Sequence, residues 1–331
     1  MASFLVTDKM SPEFRARLQA NISGKRVTPG ARLAPRSLSW LRVSAFLIVV
    51  GSVAALVVAI QRHRAEREAA RSELLARVQR EASALTSEDR RTPERVKTWL
   101  ERVSGPYTGD TIGNDVRGEA AFAATLARPM IYVRGPLGSF RSAAGIAESA
   151  DSSQKDALIS CLMEPPASRS EKALLARART AFGRADRLQD PTEHVERLRD
   201  ALAGIPLLTP AWEARVREAP DMRELGRLTR DLERAPLRAA KRAAKAELLL
   251  YVLDEPATSP GPVELDGERA HDVRVGLVEL RTQKLLFQLR RPVDPSFISP
   301  NLRSEYAGAI DSCALSLDVR EAVTGRAPSK G

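Results

Sequence analysis

The sequence predicts an α+β protein that is attached to a membrane by a single transmembrane helix. Three observations support this: an uncharged run of 18 residues at 43–60, several short apolar segments with the pattern of strands, and a long helical block between them. A run of this length can cross the hydrocarbon core of a bilayer, which is about 30 Å thick. Strands both before and after a helical block are typical of a mixed sheet covered by helices.

Composition places the rest of the chain among folded proteins and argues against a nucleic-acid partner. Of the 331 residues, 43% are hydrophobic and 28% are charged, which is sufficient to form a core. The net charge is +10, but residues 1–42 alone carry eight basic and two acidic side chains, a net of +6. The remaining 289 residues hold 44 basic and 40 acidic side chains. Phosphate neutralisation needs a clustered basic excess, so we expect no nucleic-acid binding.

The charge and hydropathy pattern divides the chain into five segments. They are a basic cytoplasmic tail at 1–39, a transmembrane helix at 40–60, a charged juxtamembrane stalk helix at 61–104, an extracytoplasmic α+β domain with a large helical block at 105–324, and a disordered tail at 325–331. Residues 61–85 have apolar positions at helical spacing. Two interpretations of them stay open, a stalk that continues the membrane helix and a helix that packs on the domain.

The membrane helix is predicted from Val43–Ile60 and from the residues that flank it. Only Ser44 and Ser52 interrupt its apolar surface, whereas a buried core helix usually has a polar stripe. Trp40 and Arg42 lie where an interfacial aromatic and a snorkelling cation are expected. Because the apolar run begins some 40 residues into the chain, we interpret it as an uncleaved signal anchor and not as a cleaved signal peptide.

Orientation follows from the distribution of Lys and Arg. The segment before the apolar run carries eight basic side chains, and residues 61–80 carry six. The positive-inside rule therefore favours a cytoplasmic N-terminus. The amino-acid composition, rich in Ala and Arg, suggests a bacterial source. We therefore predict a single-pass protein of the inner membrane with a periplasmic domain. Its predicted partners are the lipid bilayer and an envelope protein.

Within the apolar run, Gly51, Ala55 and Ala59 lie four residues apart on one helix face. This spacing lets two membrane helices approach closely and would support a homodimer. Small residues are also common in membrane helices without any such role, so both interpretations stay open.

Strands and helices beyond residue 105 are predicted from periodicity and capping signals. The predicted strands are 130–134, 157–163, 248–253, 273–277 and 285–289, the last two forming a hairpin. Helix starts are predicted at Ser168 with Glu171, Asp190-Pro191, Thr209-Pro210, Asp221 with Glu224, and Ser299-Pro300.

The nearest approach to a phosphate loop is the turn that follows the first predicted strand. Arg134, Gly135, Gly138 and Ser139 could contact an anion through the guanidinium and backbone N–H groups at a helix start. Pro136 removes one donor, and no phosphate-loop lysine is present. A tight turn between a strand and a helix is the alternative interpretation.

Other chemistry-bearing residues give weaker signals. Asp254 and Glu255 end a predicted central strand, a common place for catalytic carboxylates, but the sequence does not identify a second acid. His63, His194 and His271 have no metal-ligand spacing, and we interpret all three as surface residues. The sequence predicts no metal and no cofactor.

The two cysteines, Cys161 and Cys313, both lie in apolar surroundings. They could be free core thiols, or they could form one disulfide between the last helix and the 157–163 segment. The disulfide requires an oxidising compartment, which the predicted orientation would provide.

The leading hypothesis for function is a membrane-anchored extracytoplasmic binding or scaffolding domain. It rests on the anchor, the balanced charge of the body and the lack of catalytic motifs. The alternative is an anchored hydrolase or ligand-binding enzyme whose site is assembled from distant residues.

Overall fold

The computed structural model describes residues 37–153, 157–182, 191–256 and 270–325. The predicted basic tail up to residue 36 and most of the predicted C-terminal tail lie outside these ranges. The chain divides into two compact units, Met1–Ala65 and Glu66–Gly331.

Helix α1, Ser37–Ala82, begins in the first unit. Its most apolar 18-residue window has a mean hydropathy of 2.8, and none of that window is buried. Large side chains such as Phe46 and Ile48 are about two-thirds exposed, at 67% and 68%. Within the described residues, this is the one helix long and apolar enough to cross a membrane. The predicted long apolar helix is therefore confirmed.

The second unit is built on a six-stranded mixed sheet. Its strands are β1 Thr111–Ile112, β2 Met130–Pro136, β3 Val195–Arg197, β4 Leu248–Asp254, β5 His271–Glu279 and β6 Lys284–Val293. Their order across the sheet is β1-β6-β5-β4-β2-β3. Strands β2, β3 and β4 run parallel to one another, and the other pairs are antiparallel. The predicted α+β class with a mixed sheet is confirmed.

Helices cover the sheet. Besides α1 they are α2 Ser87–Arg90, α3 Thr92–Val103, α4 Glu119–Leu126, α5 Ala143–Ser152, α6 Ala157–Met163, α7 Glu171–Phe182, α8 Leu198–Gly204, α9 Pro210–Glu218, α10 Met222–Arg234, α11 Leu237–Ala244 and α12 Pro300–Thr324. The predicted caps at Thr209 and Asp221 are present, since their side chains accept hydrogen bonds from the backbone N–H groups of Trp212 and Glu224.

Two hydrophobic cores lie on opposite faces of the sheet. Leu249, Tyr251 and Leu253 of β4 belong to one core with α3, α5 and α8–α11, which we call the helical-block core. Leu248, Leu250 and Val252 belong to the other, with α4, α6 and α12, the C-terminal core. Because successive side chains of a strand point to opposite faces, a central strand covered on both sides must be apolar throughout. The run LLLYVL meets that requirement.

The first part of the second unit packs into the helical-block core. Leu74 and Val78 of α1 are 4% and 0% exposed, and Trp99 of α3 is buried with them. Arg67 and Arg71 donate hydrogen bonds to backbone carbonyls that follow α9, Arg67 Nη1 to Pro220 at 2.9 Å and Arg71 Nη2 to Ala219 at 2.9 Å. Of the two interpretations of 61–85, packing on the domain therefore applies from about residue 67 onward.

The strand predicted at 157–163 is wrong, because this segment is helix α6. Leu158, Ile159, Cys161 and Leu162 are fully buried around the helix, which lies between α7 and α12. A short segment that is apolar at all but one position has too little periodicity to distinguish a buried helix from a central strand. The strands that pair with β2 are β3 and β4.

Two predicted helix starts also need correction. Helix α7 is capped by Ser170, whose Oγ accepts from the Ala173 N–H at 3.3 Å, two residues after the predicted cap Ser168. Asp190 lies outside the described residues, and Pro191 is followed by a turn and by β3 before helix α8 begins. His194 is therefore in a turn and not in a helix.

Candidate functional site: the charged end of the sheet

The parallel strands β2 and β4 end side by side in a group of charged residues. Their register pairs Arg134 with Val252 and Pro136 with Asp254. In sheets with parallel strands, ligands usually bind outside the carboxyl ends of those strands. We call this region the charged sheet end. It has one cluster on each face of the sheet.

The first cluster lies on the face of the C-terminal core. Arg134 binds Asp254 with both arms of its guanidinium, from Nη2 to Oδ1 at 2.9 Å and from Nε to Oδ2 at 3.2 Å. Its Nη1 donates to Ser312 Oγ at 2.9 Å. His271 Nε2 lies 3.3 Å from Asp254 Oδ1, a hydrogen bond when that nitrogen carries the proton. This fork is the strong form of an arginine–carboxylate pair.

The ionisation of Asp254 is determined by these neighbours. Burial by itself would raise the pKa of Asp254, but the hydrogen bond from His271 and the charge of Arg134 outweigh it, so the pKa lies below its usual 3.8. A general acid or base that works near neutral pH needs a pKa shifted the other way. Asp254 is therefore a fixed anion at neutral pH.

The second cluster lies on the face of the helical-block core. Arg274 Nε and Arg290 Nη2 donate to the two oxygens of Glu255, each at 2.6 Å. Arg290 also contacts Asp272 at 2.9 Å. Arg274 stacks over the ring of Tyr107 with its guanidinium carbon 5.4 Å from the ring centroid. Glu255, like Asp254, is thus bound by arginine.

The turn after β2 does not present an open phosphate loop. Gly135, near the end of β2, packs against α5, where an added Cβ would lie 2.8 Å from Ser149 Oγ, so glycine is needed for packing. Gly138 and Ser139 belong to a 3₁₀-helix at 137–141, and α5 is capped by Ser142 beyond them. The Arg134 guanidinium is occupied by Asp254 and Ser312. The anion contact therefore stays a hypothesis without support from this geometry.

Two of the histidines are less exposed than the sequence suggested. His63 is exposed, but His194 and His271 are half-buried. His194 Nε2 lies 2.7 Å from the carbonyl oxygen of Leu126, and His271 contacts Asp254. Strand pairing brings His271 to the carboxylate, a contact that its sequence position could not indicate.

The cysteines meet between α6 and α12. Cys161 and Cys313 are bonded in the structure, with their Cα atoms 5.2 Å apart, and both are fully buried. This Cα separation lies within the usual range for a disulfide.

Two cavities lie beside the sheet, and they differ in position and volume. One of about 1070 Å³ lies at the amino ends of β2 and β3, where Arg242 is paired with Glu196 at 2.5 Å. The other, of about 440 Å³, lies at the charged sheet end between α3 and the 3₁₀-helix that follows β2.

Comparison of the chain with known protein families, curated proteins and solved structures finds no match. Function therefore has to be inferred from the residues and their geometry. At the charged sheet end, each terminal carboxylate of β4 is bound by arginine. That arrangement is suited to fixed ion pairs within the protein, and the lowered pKa of Asp254 is not that of a general acid or base near neutral pH.

Proposed function

We propose that the protein is a single-pass membrane protein whose body is a binding or scaffolding domain on the extracytoplasmic side. The observation that carries the proposal is the 18-residue apolar window of α1, none of which is buried. Exposed apolar area of this extent is unfavourable in water and favourable in a bilayer. The proposed location is the inner membrane of a bacterium, with the basic tail in the cytoplasm and the body in the periplasm.

Two features support this orientation. The tail has eight basic side chains against six in residues 61–80, which favours a cytoplasmic tail. The bond between Cys161 and Cys313 is typical of an oxidising compartment. They are independent, because one concerns charges around the anchor and the other a buried pair in the body.

Binding is favoured over hydrolysis by the chemistry of the charged sheet end. Of the candidate catalytic carboxylates, Asp254 has a lowered pKa and is bound by Arg134, and Glu255 is bound by Arg274 and Arg290. The proposed partners are the lipid bilayer and an envelope protein. A second copy bound through Gly51, Ala55 and Ala59 is a further proposed contact, since all three are exposed along the helix.

Topology fusions test the proposal. Alkaline phosphatase fused after residue 331 should be active, and a cytoplasmic fluorescent reporter at the same place should be dark. Non-reducing mass spectrometry of the full chain should show Cys161 and Cys313 linked. As a matched variant, reversal of Lys25, Arg26, Arg32 and Arg36 to Glu should reduce the active fraction of the phosphatase fusion. A fluorescent C-terminal reporter with reduced cysteines would overturn the orientation.

A further inference from the structure

The smaller cavity, of about 440 Å³, opens at the carboxyl end of the sheet. It is lined by Glu101, Ser104, Gly105, Pro106, Arg141 and Arg274. Its volume lies within the range of small-molecule sites, and its position is the usual one for ligands of sheets with parallel strands. Two of its six lining residues are arginines and one is acidic.

Arg274 is fixed by hydrogen bonds within the protein, and in the described chain its terminal nitrogen Nη2 makes none. The residue is only 7% exposed. Its Nε donates to Glu255 at 2.6 Å, and its Nη1 donates to the carbonyl oxygens of Val103 at 3.2 Å and Gly105 at 2.5 Å. Within the described chain, Nη2 makes no hydrogen bond. A guanidinium fixed at two nitrogens loses little conformational entropy when the third meets a ligand.

Arg141 supplies a second cation on another wall of the cavity. It lies on the 3₁₀-helix at 137–141 and is exposed. No hydrogen bond or ion pair joins it to the residues that the structure describes. Arg134, by contrast, lies a few residues earlier and is satisfied by Asp254. The cavity thus combines a fixed arginine and an adaptable one.

We propose that this cavity binds a small molecule through an oxyanion group, a carboxylate or a phosphate. Arg274 Nη2 and the guanidinium of Arg141 would donate to its oxygens. Arginine is suited to this role because its planar fork matches both groups. Glu101, which also lines the cavity, disfavours ligands with further negative charge beside the oxyanion. This inference rests on the proposed binding function of the body, but not on its anchoring or orientation.

The larger cavity lacks this character. Its four basic residues, Arg197, Arg238, Arg242 and Lys245, stand beside Glu193, Glu196 and Asp200, and Glu196 already binds Arg242. The protein's own carboxylates compete there with an external anion. The smaller cavity is the better candidate because two arginines there stand beside one acidic side chain, whereas the larger cavity has three acidic side chains among four basic ones.

Titration of the full chain in detergent micelles tests the site. Inorganic phosphate and sodium acetate, at constant ionic strength, are the probes in separate arms, with the thermal unfolding temperature as readout. One or both should raise that temperature saturably at millimolar concentration. The arm that saturates identifies the class of oxyanion.

Variants separate the site from general surface charge. Arg141→Ala should weaken the binding about tenfold, corresponding to one lost charged hydrogen bond. Arg215→Ala removes an exposed arginine elsewhere and should leave binding unchanged. Arg274→Lys should weaken binding while keeping the charge, with circular dichroism to verify folding. Absence of saturable binding in both arms, or equal losses in Arg141→Ala and Arg215→Ala, would overturn the inference. Neither result would alter the outcome of the topology fusions.

Discussion

The two halves of helix α1 have opposite surroundings. In the first half, large apolar side chains such as Phe46 and Ile48 are about two-thirds exposed. In the second half, Leu74 and Val78 are almost fully buried. The backbone is the same regular helix in both, so the difference comes from how apolar residues are distributed around it. A helix that is apolar on all sides needs an apolar solvent, whereas one with a single apolar stripe needs a core.

The polar residues of the two halves of α1 also differ. Residues 43–60 contain no charge, but the second half has arginines that bind specific carbonyl oxygens. Arg71, for example, donates from Nη2 to Ala219 and from Nε to Val216 at 3.3 Å. These bonds satisfy carbonyls at the end of α9, where a helix leaves its last acceptors without partners. The comparison therefore predicts that changes in the two halves affect different properties.

The largest effect is expected in the apolar half. Val50→Arg combined with Val53→Arg should abolish membrane association, since each arginine near the centre of a membrane helix costs about 2.5–3.5 kcal/mol. The body should remain folded. Carbonate extraction measures the first property and near-ultraviolet circular dichroism the second. Val50→Leu with Val53→Leu is the matched control. Full retention of the arginine variant in the membrane would refute the assignment of this half.

The next largest effect is expected in the packed half. Val78→Asp should lower the free energy of unfolding by about 3–5 kcal/mol, because it places an unpaired charge in the helical-block core. Membrane association should persist. Denaturant unfolding of the body measures the loss. Gln79→Asp, on the exposed side of the same turn, should have little effect, and equal losses in the two variants would contradict the packing.

The ion pair between Arg134 and Asp254 at the charged sheet end tests whether the body unfolds as one cooperative unit. The side chains of Arg134 and Asp254 are 17% and 25% exposed, so Asp254→Asn should cost about 1–3 kcal/mol, between a surface pair and a buried one. If the packed half of α1 belongs to the same cooperative unit, this loss and that of Val78→Ala should add.

This loss should also depend on pH. The pKa of Asp254 is lowered in the folded protein, so its contribution is complete above the ordinary carboxyl pKa and is lost as pH falls through the lowered one. The stabilities of the wild type and Asp254→Asn should therefore begin to converge as pH falls below about 4, and converge further as pH falls through the lowered pKa. Asp151→Asn, at an exposed site, is the control. A difference that persists unchanged at low pH would argue against the ion pair.

The smallest effect is expected from Arg71→Ala. Loss of its bonds to the end of α9 should lower the free energy of unfolding by about 1 kcal/mol, the usual net value of such hydrogen bonds. Arg64→Ala, which changes an exposed arginine in the first unit, should have no measurable effect on unfolding. If the two variants were indistinguishable, these carbonyl contacts would contribute nothing to the packed half.

Much of the fold follows from local pattern. The apolar half of α1, the all-apolar β4 and the alternating β5–β6 hairpin were predictable, because each carries a periodicity or composition that one structure satisfies. Helix α6 was not, since a seven-residue segment with six apolar residues suits either a central strand or a buried helix. Strands β1 and β3 are two and three residues long and carry no detectable alternation.

The site was predictable only in part. The sequence identified Arg134 and Asp254 separately, but their pairing depends on the parallel register of β2 and β4, which joins residues 120 positions apart. Arg274 was missed. It alternates with Val273 and Val275, and such a pattern usually indicates a solvent-facing position. Arg274 is buried because helices pack on both faces of the sheet, and this packing depends on the whole fold.

The shortness of the outer strands has a consequence for the membrane-anchored protein that we propose. Copies confined to a membrane meet at far higher local concentration than copies in solution, and an exposed strand edge would then recruit its neighbours into a growing sheet. Here the sheet ends in Thr111–Ile112 on one side and Val195–Arg197 on the other. Among the described residues, strand β1 pairs only with Phe287 and Gln288 of β6, and beyond them the carboxylate of Asp110 accepts the outward-facing N–H of Arg290, which leaves less of that edge free to pair. On the proposed anchoring, neighbouring copies in a bilayer could therefore be crowded without their sheets joining.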